Sequence, residues 1–137
     1  MKERINQANL PPALALAYIG DAVHSLYIRK LLVSRGCMRS GELNRLALGF
    51  VTAEAQARAY LKISHMLTEY ELEVFKRASN STHLNKPRHA SGKDYRIATG
   101  FEAIIGMLEY LGDAERIEEL LKVACTDIGD TENDTEN

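Results

Sequence analysis

The sequence has no tryptophan, only two cysteines and only three prolines among 137 residues. Cys37 and Cys125 lie far apart with no Cys-x-x-Cys pair. That excludes a disulfide framework and a thiolate metal site, and leaves two reduced, partly buried small apolar residues. No apolar run approaches the roughly 20 residues needed to cross a bilayer. The N-terminal MKERINQ has neither the apolar stretch nor the small-residue cleavage site of a secretory signal, so a cytoplasmic protein is expected. Strand signals are also scarce. Val, Ile and Thr fall at helical rather than alternating spacing, and no Asn-Gly or Asp-Gly hairpin signal occurs. What remains is an all-α chain, long enough for a single domain with a real core.

The formal net charge of −2 averages two unlike parts. Residues 127–137 hold Asp127, Asp130, Glu132, Asp134 and Glu136 and no base, and read as an acidic, disordered tail after a folded unit spanning 1–126. Without those five acids, 17 bases face 14 acids (19 less 5). The excess concentrates in residues 76–96, where Lys76, Arg77, Lys86, Arg88, Lys93 and Arg96 face only Asp94, with His83 and His89 nearby. A polyanion would find a contact there, although a charged stretch is often merely solvated.

The helical pattern is clear. Pro11-Pro12 introduce a segment from Ala13 to about Ser34, stopped by Gly36. Ser40 is placed to cap a helix through Leu48, with Gly49 ending it, and Thr52 to start another reaching about Ser64. Thr68 and Glu71 match a capping box for a helix to about Ser79. Residues 80–92 read as a loop that is functional or mobile. Helix resumes near Lys93, carrying Ile97, Phe101, Ile104, Leu108 and Leu111 on one stripe. Gly112 ends it, Asp113 caps the next, and Ile117, Leu120, Leu121 and Ala124 form that helix's apolar face.

Two acids stand where the pattern asks for apolar residues. Asp21 interrupts a face of the first helix formed by Leu14, Tyr18, Ser25, Ile28 and Leu32. It follows Gly20, which costs roughly 1 kcal/mol relative to alanine inside a helix. Glu102 sits within IATGFEAIIGMLEYL, between Phe101 and Ala103. Rule-breaking of this kind often marks a functional site. Two carboxylates from different apolar helices stay ionised if they share a divalent cation, and oxygen ligation suits Mg²⁺ or Mn²⁺. The alternative is a structural network in which each pairs with an arginine or a helix N-terminus.

The segments carrying these acids are also recognisable. Ala15 to Val23, ALAYIGDAV, resembles the signature helix of the ribonuclease III family, and Phe101 to Gly106, FEAIIG, resembles its second motif. Order and separation match too, and the likeness extends over roughly residues 11–125. With Tyr95-Arg96 before the second motif and no appended double-stranded-RNA-binding domain, the chain is most similar to short members made of the catalytic domain alone. The resemblance implies a helical ribonuclease III endonuclease-domain bundle that forms a homodimer, each subunit cutting one strand of duplex RNA. It implies that Asp21 and Glu102 are catalytic, metal-ligating carboxylates. The implied reaction is hydrolysis by water that leaves a 5′-phosphate and a 3′-hydroxyl, with Mg²⁺ (or Mn²⁺) activating the water and neutralising phosphate charge. The implied substrate is the precursor of large-subunit (23S) ribosomal RNA, with a ribosomal protein as a possible helper.

On this reading Lys86, Arg88, His89 and Lys93 contact backbone phosphates. Arg96 either holds a phosphate or neutralises Glu102, and Thr99 is a candidate hydrogen-bond partner of a metal-bound water. His24 is expected at the helix surface or an interface, and Glu109 in solvent. The chain departs from the family pattern at Ala17 and Thr99, where acids are usual. Fewer ligands imply weak metal affinity without substrate. The same departures keep open a non-catalytic RNA-binding module with a degenerate fold. A helical scaffold burying both acids in salt bridges is a further alternative.

Overall fold

A computed structural model describes residues 9–36, 39–81 and 92–126. Among them are helices α1 (Ala13–Ser34), α2 (Ser40–Val51), α3 (Ala53–Ile63), α4 (Glu69–Asn80), α5 (Gly92–Tyr110) and α6 (Ala114–Ala124), with a 3₁₀ turn at Ser64–Met66 and no strand among the described residues. The acidic tail, most of the 80–92 loop and Cys37 lie outside the described residues.

Local chemistry sets most boundaries. Gly36 (φ +94°) and Gly112 (φ +77°) supply the left-handed turns that close α1 and α5. Thr52 accepts from the Ala55 amide at 3.2 Å and Asp113 from the Arg116 amide at 3.2 Å, starting α3 and α6. The capping box of α4 is complete in both directions, and its glutamate does more than cap. Glu71 is buried and also takes two hydrogen bonds from Arg116, both 2.8 Å, while the Arg116 guanidinium reaches the Met66 carbonyl at 2.8 Å. This paired charge joins α6 to the start of α4.

One boundary differs from expectation. Ser40 is the first helical residue of α2 rather than its cap, and the helix runs through Gly49 to Val51. Gly49 has no positive φ, and Phe50 and Val51 beyond it are partly buried. Burying those two side chains outweighs the roughly 1 kcal/mol that a mid-helix glycine costs.

α5 occupies the centre, packed by α1, α3, α4 and α6, while α2 lies against α1 and α3. From Ala98 to Leu108 every residue of α5 is buried except Glu102. The expected stripe is there, with Phe101, Ile104 and Leu108 buried and Ile97 and Leu111 partly so, but burial extends around the helix. α1 is rotated from expectation. It buries Ala13, Leu16, Ala17, Gly20, His24, Ile28 and Leu32, whereas Leu14, Tyr18 and Asp21 are exposed. The cause is the contact with α5. A β-carbon on Gly20 would run into the Glu102 carbonyl, and one on Gly106 into the Leu16 carbonyl. The two backbones touch through these glycines, and no other phase of α1 would allow it.

Candidate active site

The glycine contact decides where the acids go. Asp21 follows Gly20 on α1 and Glu102 provides the carbonyl against which Gly20 rests, so the two side chains emerge together at the edge of the helix pair. The two carboxyls lie close enough for Asp21 to raise the Glu102 pKa through hydrogen bonding and charge. Asp21 faces solvent and Glu102 is partly buried. Neither has an arginine partner among the described residues.

Beneath the acids lies a polar chain. The Gln56 Nε2 on α3 donates to Glu102 Oε2 at 3.2 Å and lies 3.2 Å from His24 Nδ1. Gln56 is 2% exposed and His24 is 1% exposed, with the His24 ring edge-on to Phe101 at 5.4 Å between centroids. His24, expected at the surface or an interface, is therefore an interior residue. The rotation of α1 that exposes Tyr18 carries it inward. Gln56 does not stand out in the sequence, although a signal is present there. It shares a helical face with Tyr60 and Ile63 and interrupts it as a polar residue.

The other candidates divide. Lys93 and Arg96 are exposed near the start of α5, roughly 14 and 9 Å along the helix axis from Glu102. Glu102's polar partners are Asp21 and Gln56, so Arg96 does not neutralise it. The Thr99 hydroxyl donates to the Tyr95 carbonyl at 2.9 Å within the helix. Glu109 is exposed, as expected. Lys86, Arg88 and His89 lie outside the described residues.

Electrostatically the pair is poised for a cation. Burial, and next the hydrogen bond and charge of Asp21, push the Glu102 carboxyl up to about 8, with Gln56 opposing. Without a cation Glu102 thus keeps its proton near neutral pH. Among the described residues no third His, Cys, Asp or Glu joins the two acids. Two carboxylates with open positions fit a hard, hydrated divalent ion such as Mg²⁺, which retains waters and takes substrate phosphate oxygens as its remaining ligands.

The raised value has a stability consequence. In the folded protein it exceeds the ordinary glutamate value of 4.5, so the contribution is complete below about 4.5 and lost as pH rises through about 8. His24 works oppositely. Burial lowers it to about 4 against a small opposing pull from Asp21, so its contribution is lost only as pH falls below 6.5. Metal-free protein should therefore melt at lower temperature at pH 8 than at pH 6.5, with a slope approaching about 1.4 kcal/mol per pH unit. Scanning calorimetry in chelator checks this. Glu102→Gln should abolish the slope, and a slope unchanged in that variant would refute the assignment.

The sequence profile of the Ribonuclease III domain matches residues 14–113, and the chain belongs to the ribonuclease III family of endoribonucleases. Within that family it is similar to proteins named Mini-ribonuclease 3. The one from Symbiobacterium thermophilum is 41% identical over 120 residues, covering 88% of this chain and 92% of the relative. The one from Enterococcus faecalis is 40% identical over 120 residues, covering 86% and 91%. A crystal structure of a protein from Fusobacterium nucleatum superposes with a TM-score of 0.74 at 36% identity, covering 81% of this chain and 89% of that one.

Proposed function

We propose that this chain is a divalent-metal-dependent endoribonuclease of double-stranded RNA, with Asp21 and Glu102 as the catalytic, cation-holding carboxylates. The observation that carries the reading is their meeting at the α1–α5 contact with no basic partner among the described residues. In the reaction a water oxygen attacks phosphorus, the bond to the 3′ oxygen breaks, and the products carry a 5′-phosphate and a 3′-hydroxyl. Mg²⁺, or Mn²⁺ in its place, supplies water activation and charge neutralisation when bound. The protein's part is to present two oxygens from rigid helices. Gln56 holds one oxygen of Glu102 back from the solvent side.

RNA is gripped through phosphates by the basic segment, with Lys86, Arg88, His89, Lys93 and Arg96 as contacts. Duplex RNA is read chiefly by shape and backbone, which such a segment suits. The exposed apolar side chains Tyr18, Leu26 and Tyr110, 83%, 55% and 54% accessible, support a homodimer in which each subunit cuts one strand. Precursor large-subunit (23S) ribosomal RNA, processed in the cytoplasm and presented with a ribosomal-protein helper, is the proposed substrate.

Incubating the purified chain with duplex RNA, with and without Mg²⁺, tests the proposal. Cutting that requires Mg²⁺ supports it, whereas binding without cutting favours the degenerate RNA-binding module. Replacing Lys86, Arg88 and Lys93 together with alanine should weaken RNA binding. It should also reduce the slope of log affinity against log salt by roughly 0.7–0.9 for each phosphate that is no longer neutralised. A binding titration at several salt concentrations measures it, and an unaltered slope would remove these residues from the interface.

A further inference from the structure

Gln56 and His24 form a buried polar pair that the chemistry assigned to Asp21 and Glu102 does not itself require. Both side chains are buried, so both depend on hydrogen-bond partners in the interior. An amide nitrogen carries two hydrogens and no acceptor lone pair. Because the Gln56 Nε2 lies 3.2 Å from both Glu102 Oε2 and His24 Nδ1, one hydrogen goes to each. In this orientation of the amide, His24 Nδ1 is the acceptor and the ring proton sits on Nε2.

The arrangement selects one amide orientation. Reversed, the Gln56 carbonyl would face the Glu102 oxygen and repel an ionised carboxylate. The His24 ring packs edge-on against Phe101. Three helices contribute, with His24 from α1, Gln56 from α3 and Glu102 from α5. Each position is held by core packing on both sides: Gln56 lies between the buried Ala55 and Ala57, and Phe101 and Ala103 flank Glu102.

We infer that Gln56, buried between His24 and Glu102, is a positioning residue that holds Glu102 Oε2 and presents the other carboxylate oxygen beside Asp21 for a divalent cation. Partners behind a ligand commonly tune metal affinity by about 10- to 100-fold. The inference rests on the reading of Asp21 and Glu102 as the cation's ligands, and the test separates the two.

Mn²⁺ is titrated into the metal-free full chain without RNA, and free ion is read by electron paramagnetic resonance. Gln56→Met keeps length and bulk while removing both donors. It should weaken Mn²⁺ affinity about 10- to 100-fold. The Mg²⁺ concentration for half-maximal duplex cleavage should rise by a similar factor, while the rate at saturating Mg²⁺ stays within a few fold. His24→Leu should weaken Mn²⁺ binding in the same direction. His24→Asn, whose side-chain oxygen can accept where Nδ1 did, should recover most of the loss. A purely structural pair would change the melting temperature without this metal-specific pattern. Wild-type Mn²⁺ affinity in a folded Gln56→Met overturns the inference. If that variant does not fold, wild-type affinity in His24→Leu does so. Asp21→Asn and Glu102→Gln are the reference arm. If they lose Mn²⁺ and Gln56→Met does not, only the positioning role fails; if they bind Mn²⁺ normally, the ligand reading fails first.

Discussion

Asp21→Asn and Glu102→Gln are each expected to reduce duplex-RNA cleavage on the order of a thousandfold or more, with fold retained. Each change keeps the shape of the side chain and removes one anionic oxygen ligand. With two protein carboxylates at the site and no third acid among the described residues, there is nothing to compensate. Fold should survive because Asp21 faces solvent, and because Glu102 already prefers its neutral form in the absence of a cation. The amide that replaces the Glu102 carboxyl remains able to hydrogen-bond Asp21. Single-turnover cleavage at saturating Mg²⁺, run beside circular dichroism, measures both parts. Turnover near that of the parent in either variant would end the assignment of roles.

The second large effect is on folding. Gly20→Ala and Gly106→Ala should each destabilise the protein by about 3 kcal/mol or more, since the added carbon meets backbone atoms rather than a movable side chain. For a domain of this size that corresponds to a fall in melting temperature of about 10 °C. Variants that still fold must separate α1 from α5, which moves Asp21 away from Glu102. Their cleavage should therefore drop further than their folded fraction does. Gly49→Ala is the control, because nothing lies within 4 Å of a β-carbon there and its backbone is helical. It should be neutral or slightly stabilising. Thermal melts of the three proteins decide the matter, and a harmless Gly20→Ala would mean that the helices are not in contact as described.

Much of the architecture was legible because it depends on near neighbours. Thr68 and Glu71 announce a helix start by satisfying each other's backbone groups, and Gly36 and Gly112 announce stops by their conformational freedom. The period of Phe101, Ile104 and Leu108 marks a buried helix wherever that helix goes. Asp21 and Glu102 were visible for the opposite reason, as charges in apolar surroundings. Gln56 was equally visible in principle, but a neutral polar residue among alanines is a weaker anomaly than a carboxylate.

The phase of α1 was not legible. That helix is apolar on more than one side, so periodicity alone could not say whether Tyr18 or His24 faces the core. The chain by itself determined the helices, most of their caps and the two acids. Only tertiary packing decided that Gly20 meets Glu102 and Gly106 meets Leu16, and with it which side of α1 turns inward. Local hydrogen bonds and helical periodicity act over a few residues, whereas the close approach of two backbones is a property of residues more than eighty positions apart in the chain.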